Sequence, residues 1–302
     1  MNKRTLSLRI KQEALKLGFD DCGIAEAERL EPESGFLKTW LQHGYHAEMN
    51  YMTMNQEKRT NPVKLMEGAK SVICLLSNYK PKQWQHPDLP QIAAYAYGPD
   101  YHFVLKERLH LLKIYINSHT NATMRLFTDT APILERAWAV RAGLGWSGKN
   151  SLLISPRFGP YTFISVVLIA TELAYDTPID ARCGSCTHCI DACPTGALCL
   201  PYTLDARRCL SYLTIESKTP CTLDPGSYIF GCDGCIRACP WGAQAPPTTL
   251  FRPLPGILQN SAKDWETMSP DDFKQHFAGS ALQRAGLSKI QHTLTLWNGK
   301  PK

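Results

Sequence analysis

From Leu6 to Leu17 apolar residues recur at helical spacing, with Leu8, Ala14, Leu15 and Leu17 among them, and Gly18 follows where a helix would stop. Asp21 to Ala25 reads as a short strand and Phe36 to His43 as a helix. Ser71-Val-Ile-Cys-Leu-Leu76 is an unbroken, β-branched apolar run, which predicts a strand buried on both faces. Gln91 to Tyr97 predicts another strand, closed by a Gly98-Pro99-Asp100 turn. A long helical run, Tyr101 to Thr120, leads to a short strand, Met124 to Phe127. Asp129-Thr-Ala-Pro132 then predicts a helix entry with proline in the first turn, and a helix over Pro132 to Ala142. Ser151 to Ser155 and Thr162 to Ala170 predict a hairpin around Arg157-Phe-Gly-Pro160. After Pro246-Pro247 and Pro253-x-Pro255, short helices are expected over Pro270 to Phe277, Ala281 to Ala285 and Lys289 to Trp297. The pattern divides the chain into an α/β (α+β) domain over 1–176, a cysteine-rich region over 177–247 and a helical tail over 248–302.

The cysteine region carries the strongest chemical signal. It reads Cys183-x2-Cys186-x2-Cys189-x3-Cys193-Pro194, then Cys209, then Cys232-x2-Cys235-x3-Cys239-Pro240. The first run has the bacterial iron–sulfur spacing, and the second is the same run with its first cysteine moved upstream. Eight thiolates make two sets of four, and four thiolates hold one [4Fe–4S] cube. In two-cluster ferredoxins the fourth cysteine of each run serves the other cluster. By that logic Cys183, Cys186, Cys189 and Cys239 hold one cluster, and Cys193, Cys209, Cys232 and Cys235 the other. Zinc sites use CxxC pairs separated by a longer loop, a less specific pattern than this one. Cys199 and Cys221 stand as rivals to Cys209, while Cys22 and Cys74 are expected to be ordinary buried thiols.

Composition narrows the setting. With 302 residues, 44% hydrophobic and 20% charged, the chain can bury a sizeable core, which argues against disorder. The first residues lack the apolar stretch of a secretory signal, and the longest apolar run, Phe163 to Ala170, is too short to span a bilayer. A reduced, cytoplasmic, monomeric protein with no membrane partner is expected. A net charge of +6 permits a nucleic-acid partner without demanding one.

Gly143-Leu-Gly-Trp-Ser-Gly-Lys-Asn150 is a glycine-rich loop that narrowly misses the phosphate-binding P-loop, because Asn150 stands where Ser or Thr is required. It suits either a backbone cradle for a cofactor's polar edge or a plain turn. Asp129 reads most simply as a carboxylate capping a helix start, and alternatively as a proton donor facing a closed pocket. His102, Lys149, Arg136 and Arg157 are by default packing or surface groups. Trp241 and Tyr212 could stack on a base or lie in the core.

Several stretches together resemble the epoxyqueuosine reductase family: Asp129-Thr-Ala-Pro-Ile-Leu-Glu-Arg136, the glycine-rich loop 143–150, Arg208-Cys-Leu-Ser-Tyr-Leu-Thr-Ile-Glu216, and Gly231-Cys-Asp-Gly-Cys235 through Cys239-Pro-Trp241. Tyr45-His-Ala-Glu-Met-Asn-Tyr51, Arg59 and Asp100-Tyr-His102 add to it. The resemblance implies a nitroreductase-like cobalamin-binding domain, a ferredoxin-like domain with two [4Fe–4S] clusters, and a short HEAT-like helical tail. It implies reduction of epoxyqueuosine to queuosine at the first anticodon position of tRNA, the last step of queuosine biosynthesis, with electrons from an external donor. By the same resemblance Asp129 matches the proton donor. Arg59, His102, Asp129, Trp146, Lys149, Asn150, Ser211 and Asp233 become cofactor-contact candidates, and Lys218, Arg207 and Arg284 phosphate-contact candidates on the tRNA. The cobalt-ligating pattern Asp-x-His-x-x-Gly is not completed, since Leu105 replaces Gly, so His102 is not expected to ligate cobalt in that way. Many members carry a longer helical extension. This chain ends at Lys302, and its catalytic domains are expected to supply most tRNA contacts. The alternatives are a corrinoid reductase with a small substrate, a ferredoxin-type electron-transfer module and a zinc-stabilised RNA-binding protein.

Overall fold

In the computed structural model, which describes residues 2–297, a four-stranded antiparallel sheet forms the frame. Its strands are β1 (Asp21–Glu26), β2 (Ser71–Asn78), β4 (Met124–Phe127) and β7 (Thr162–Ile169), in the order β1-β2-β7-β4. Two small pairs complete the set. One joins β3 (Gln91–Ile92) in parallel to β8 (Tyr228–Phe230), and the other joins β5 (Trp146–Ser147) to β6 (Leu153–Ile154).

β2 is buried at every position. Because side chains alternate across a strand, it divides its residues between two cores. Ile73 and Leu75 join the core under the helices Lys3–Lys16 and Tyr101–Asn117. Val72, Cys74 and Leu76 join the core under the helix Glu135–Arg141. β7 repeats the division, with Val167 and Ile169 on the first side and Val166 and Leu168 on the second. An uninterrupted apolar run is what a strand covered on both faces requires.

The first core extends beyond the front domain. Ile229 and Phe230 of the cysteine region belong to it, as do Phe251, Ile257, Trp265, Phe273, Phe277, Leu282 and Ile290 of the tail. Polar ties run alongside. Lys80 Nζ donates to the carbonyls of Gly242, Ala243 and Ala245, at 2.9, 3.0 and 2.7 Å. Asp100 N–H donates to Gly279 O at 2.7 Å.

Several expectations are corrected. Leu8 and Leu15 lie on the solvent face of the first helix, which buries Leu6, Ile10 and Ala14 instead. The strand expected over Gln91–Tyr97 stops at Ile92, because its only partner is the three-residue β8, and Ala94–Ala96 turns into a 3-10 helix. The expected hairpin closes only at its tip, where Ser155 and Gly159 exchange both backbone hydrogen bonds at 2.9 Å, and its strands do not pair further. β6 pairs back with β5, and β7 enters the main sheet between β2 and β4. The helix expected from Pro132 begins at Glu135, for a reason that belongs to the site described below.

If tail and front share one core, Trp265→Ala should cost about 3–5 kcal/mol, because Trp265 is fully buried and stacked on Phe277. Denaturant unfolding followed by sheet and tail probes should show one coincident, shifted transition. A tail that melts separately while the sheet holds would contradict the shared core.

Candidate cluster-binding and active site

Cys183, Cys186, Cys189 and Cys239 line one recess, together with Gly148, Lys149, Asn150, Ile154, Pro240 and Trp241. The loop that carries the first three is held by Lys149, whose Nζ donates to Gly184 O at 2.7 Å and to Cys186 O at 2.9 Å. Lys149 thus lines the recess and also secures the cysteine loop. Trp146 is buried behind this recess and meets Trp241 edge to face, with centroids 4.8 Å apart.

Cys193, Cys209, Cys232 and Cys235 form the second set. Cys232 and Cys235 each feel the charge of Cys209 and Cys193. Burial pushes the Cys232 thiol up to about 12, and Cys235 is also raised well above its ordinary value by burial. A thiolate there needs a compensating cation, and an iron cluster supplies it. Cys193 goes the other way. Burial would raise it, but N–H groups around the sulfur outweigh that, Ala197 N–H among them at 3.2 Å. Hydrogen bonds of this kind tune a cluster's potential. The rivals lie elsewhere: exposed Cys199 faces Thr203 O, and buried Cys221 faces Leu223 O. Gly231 (φ +69°) makes the turn from β8 into Cys232, and a Cβ there would come within 2.5 Å of Ala93 Cβ. Among the described residues no three His, Cys, Asp or Glu side chains converge on a single ion. The first four thiols instead line a shared recess, the kind of space a four-iron cube occupies.

Asp129 stands at the end of β4 in a left-handed conformation, φ +52°. Its backbone N–H donates to Glu135 Oε1 at 2.6 Å. That bond ties residues 129–135 into a loop and delays the helix to Glu135, so Asp129 does not cap it. Tyr101 donates its hydroxyl to Asp129 Oδ2 in a short hydrogen bond. Tyr101 also stacks on His102 and on Phe163, both with centroids 4.1 Å apart. His102 Nε2 lies 3.7 Å from Asp129 Oδ2, and its Nδ1 lies 2.7 Å from Asp100 Oδ1. Burial would raise the Asp100 carboxyl, but the hydrogen bonds and charge of His102 bring it below its usual value. Burial, reinforced by the charge of Asp129, pushes Glu135 up to about 8. Sequence reasoning missed Tyr101 and Glu135 as site groups, although both lie within stretches that carried the resemblance.

The remaining candidates fall into two kinds. Arg59 is buried, with one guanidinium nitrogen donating to Tyr51 O at 2.7 Å and Nε without a partner. Asp233 is buried, with Oδ2 accepting from Ala94 N–H at 2.7 Å and Oδ1 without a partner. Trp146 Nε1 and Ser151 Oγ are also buried and unpartnered. Tyr95 feels both Asp129 and Asp233, so the Asp129 loop and the second thiol set flank one region. Buried Asn150 donates from its amide to Cys235 O at 3.4 Å, and half-buried Ser211 leads into a π-helical turn, Tyr212–Glu216. Tyr212 is buried, with its hydroxyl donating to Glu48 Oε2 at 3.2 Å, so it is held away from a stacking role. The second kind is committed to ion pairs. Arg207 forks onto Asp205 with two 2.8 Å bonds, and Arg284 forks onto Glu216 at 2.5 and 2.7 Å. Lys218 donates its backbone N–H to Glu48 Oε2 at 2.9 Å and is exposed.

The family model for a 4Fe-4S double cluster binding domain matches residues 182–242, which contain both thiol sets. The model described as epoxyqueuosine reductase QueG, DUF1730 matches residues 59–130, from Arg59 through Asp129. An epoxyqueuosine reductase of Cellulophaga algicola is 42% identical over 290 residues, which cover 93% of this chain and 95% of the relative. The chain belongs to the epoxyqueuosine reductase family. A crystal structure of an epoxyqueuosine reductase with a tRNA-Tyr epoxyqueuosine-modified stem loop superposes with a TM-score of 0.90 at 30% identity, covering 98% of this chain and 81% of that one. The epoxyqueuosine reductase of Bacillus subtilis, with its catalytic aspartate loop swung out of the active site, superposes at 0.88 and 29% identity, with the same coverage.

Two outcomes follow from this geometry. Cys209→Ser should lower iron from about eight to about four atoms per chain, while Cys199→Ser should leave it unchanged. Iron and acid-labile sulfide analysis of anaerobically purified protein decides this, and equal loss in both variants would contradict the assignment. Glu135 gives a pH signature. Its folded value, about 8, lies above its ordinary 4.5, so between these values the folded state holds a proton that the unfolded state has released. Stability should therefore fall as pH rises through that window. Glu135→Gln keeps an acceptor for Asp129 N–H and should flatten the dependence. An unchanged slope in the variant would contradict it.

Proposed function

We infer that this chain reduces epoxyqueuosine to queuosine at the first anticodon position of tRNA, using cobalamin and two [4Fe–4S] clusters. The observation that carries the reading is the Asp129 loop, held by Tyr101 and Glu135 beside the second thiol set in a chain of this family. The unpartnered buried atoms of Arg59, Trp146 and Asp233 support a polar cofactor, because buried polar groups in proteins are nearly always paired. With Asn150, Ser211 and the Asp129 loop, these are the residues we assign to corrin contact. Lys149 is assigned to the cluster loop it holds. When bound, the cofactors supply a reduced cobalt nucleophile and single electrons.

The protein's own part is positional and acid–base. Removing the epoxide oxygen as water takes two electrons and two protons. Asp129 gives a proton to the departing oxygen, and Tyr101 aims the carboxyl by its hydrogen bond. Lys218, Arg207 and Arg284 are the assigned phosphate contacts. A splayed anticodon base presents its edges to a pocket, as single-stranded loops do. The domains are taken as 1–176, 177–247 and 248–302. The working unit is taken as a single cytoplasmic chain fed by an external electron donor. Among the described residues no helix is long and apolar enough to cross a membrane.

The test is anaerobic incubation with cobalamin, a strong reductant and epoxyqueuosine-containing tRNA, followed by nucleoside mass analysis. Queuosine should appear only with cobalamin present. Its absence, with clusters intact and cobalamin bound, would move the reading to a corrinoid reductase with another substrate. Asp129→Asn should keep both cofactors and lower kcat by about 10²–10⁴-fold. Full activity in that variant would remove Asp129 from the mechanism.

A further inference from the structure

His102 sits between two carboxylates from different elements. Asp100 precedes the helix Tyr101–Asn117 and accepts twice, from His102 N–H at 2.9 Å and from ring Nδ1 at 2.7 Å. On the other side Nε2 faces Asp129 Oδ2 at 3.7 Å. The ring is held in place by Tyr101, which stacks on it and binds the same Asp129 oxygen. A Nδ1–H donated to a carboxylate selects the neutral tautomer whose Nε2 is free, and here Nε2 is aimed at Asp129. Neither capping nor packing requires that second alignment.

We propose that Asp100 and His102 form a relay that returns a proton to Asp129 after each turnover, His102 acting as a positioning residue behind it. This rests on the proton-donor role proposed above. Once Asp129 has given up its proton, the Nε2–H bond of the imidazolium breaks and a new O–H bond forms at Asp129 Oδ2. The electron pair stays on Nε2, and the neutral ring keeps its Nδ1–H on Asp100. Solvent then reprotonates Nε2, so one proton moves through and nothing is oxidised or reduced. At 3.7 Å the Nε2–Oδ2 pair is longer than a hydrogen bond. Contacts of this kind tighten when a site fills. Lys106 acts on Asp100 from the same helix, while Glu135, Tyr95, Tyr51 and Arg284 are the other ionisable groups facing Asp129.

The first readout needs no turnover. In cluster-loaded protein labelled with ¹⁵N-histidine, the His102 signals are those lost in His102→Gln. With the rings neutral, the His102 proton should reside on Nδ1. In Asp100→Ser, which keeps a good helix cap but cannot reach the ring, it should move toward Nε2. The second readout is product against time with reductant in excess. His102→Gln should make about one equivalent of queuosine at the wild-type rate and then continue about 10²-fold more slowly, with KM for tRNA unchanged. A His102 proton on Nε2 in the wild type, or equal slowing of first and later turnovers, would overturn the relay. A wild-type protein that makes no queuosine at all would overturn the proposed function instead, and the NMR result would stand apart from it.

Discussion

On the proposed ligand assignment each set of four thiols is drawn from both ends of the cysteine region, so neither cluster could be held until the chain from Cys183 to Cys239 has folded back on itself. That closure is the constraint on which the rest of the molecule depends. The ferredoxin-like segment has little apolar surface for a core of its own, and it borrows one. β8 pairs with β3 of the front domain, Phe230 and Ile229 enter the larger core, Lys80 binds carbonyls just after the second run and Lys149 binds carbonyls in the first loop. Both lysines spend their charge on backbone oxygens, which fixes loops that lack regular structure to carry their own hydrogen bonds.

The same closure sets the cysteine region against the Asp129 loop. Cys232 follows β8 across the Gly231 turn, and Asp233 reaches back to Ala94, beside Tyr95. Tyr95 in turn meets Tyr101 edge to face, with centroids 6.3 Å apart, and Tyr101 holds Asp129. A left-handed aspartate costs energy that a glycine would avoid, and such strain persists only where surrounding contacts over-determine it. Here they do: the backbone N–H is bound by Glu135 and the carboxyl by Tyr101.

How much of this was legible varied with the range of the interaction. The double cluster binding domain could be read because the cysteine spacing is local and its chemistry admits few alternatives. β2 was legible because burial on both faces leaves an unbroken apolar run. The helix start near Asp129 was not. Proline and a preceding aspartate are good entry signals, and they lost to a side chain six residues on that captures the aspartate's N–H. Lys149 and Arg284 were legible as charges but not as partners, because Gly184 and Glu216 lie far away in sequence. The Arg207–Asp205 fork, two residues apart, was within reach of a closer reading.

The tail arginine bears on how a polyanion could enter. Arg284 is bound to Glu216, the last residue of the π-helical turn that begins three residues after Cys209, and its charge is felt by Tyr51 and Asp129. Lys289 donates to Ser217 O at 2.5 Å, so the tail is anchored to this turn at two adjacent points. The arginine side chain remains 59% exposed. With the arginine open to water and Glu216 partly so, screening holds the pair to on the order of 1 kcal/mol. An arriving phosphate therefore meets a guanidinium already oriented and largely free of water exclusion, and it need only outcompete a weakly held carboxylate. A buried pair would have to be broken at far greater cost. The pairing with Glu216 is thus compatible with Arg284 serving as a phosphate contact, and it positions that contact on the side of the site where Tyr51 and Asp129 lie.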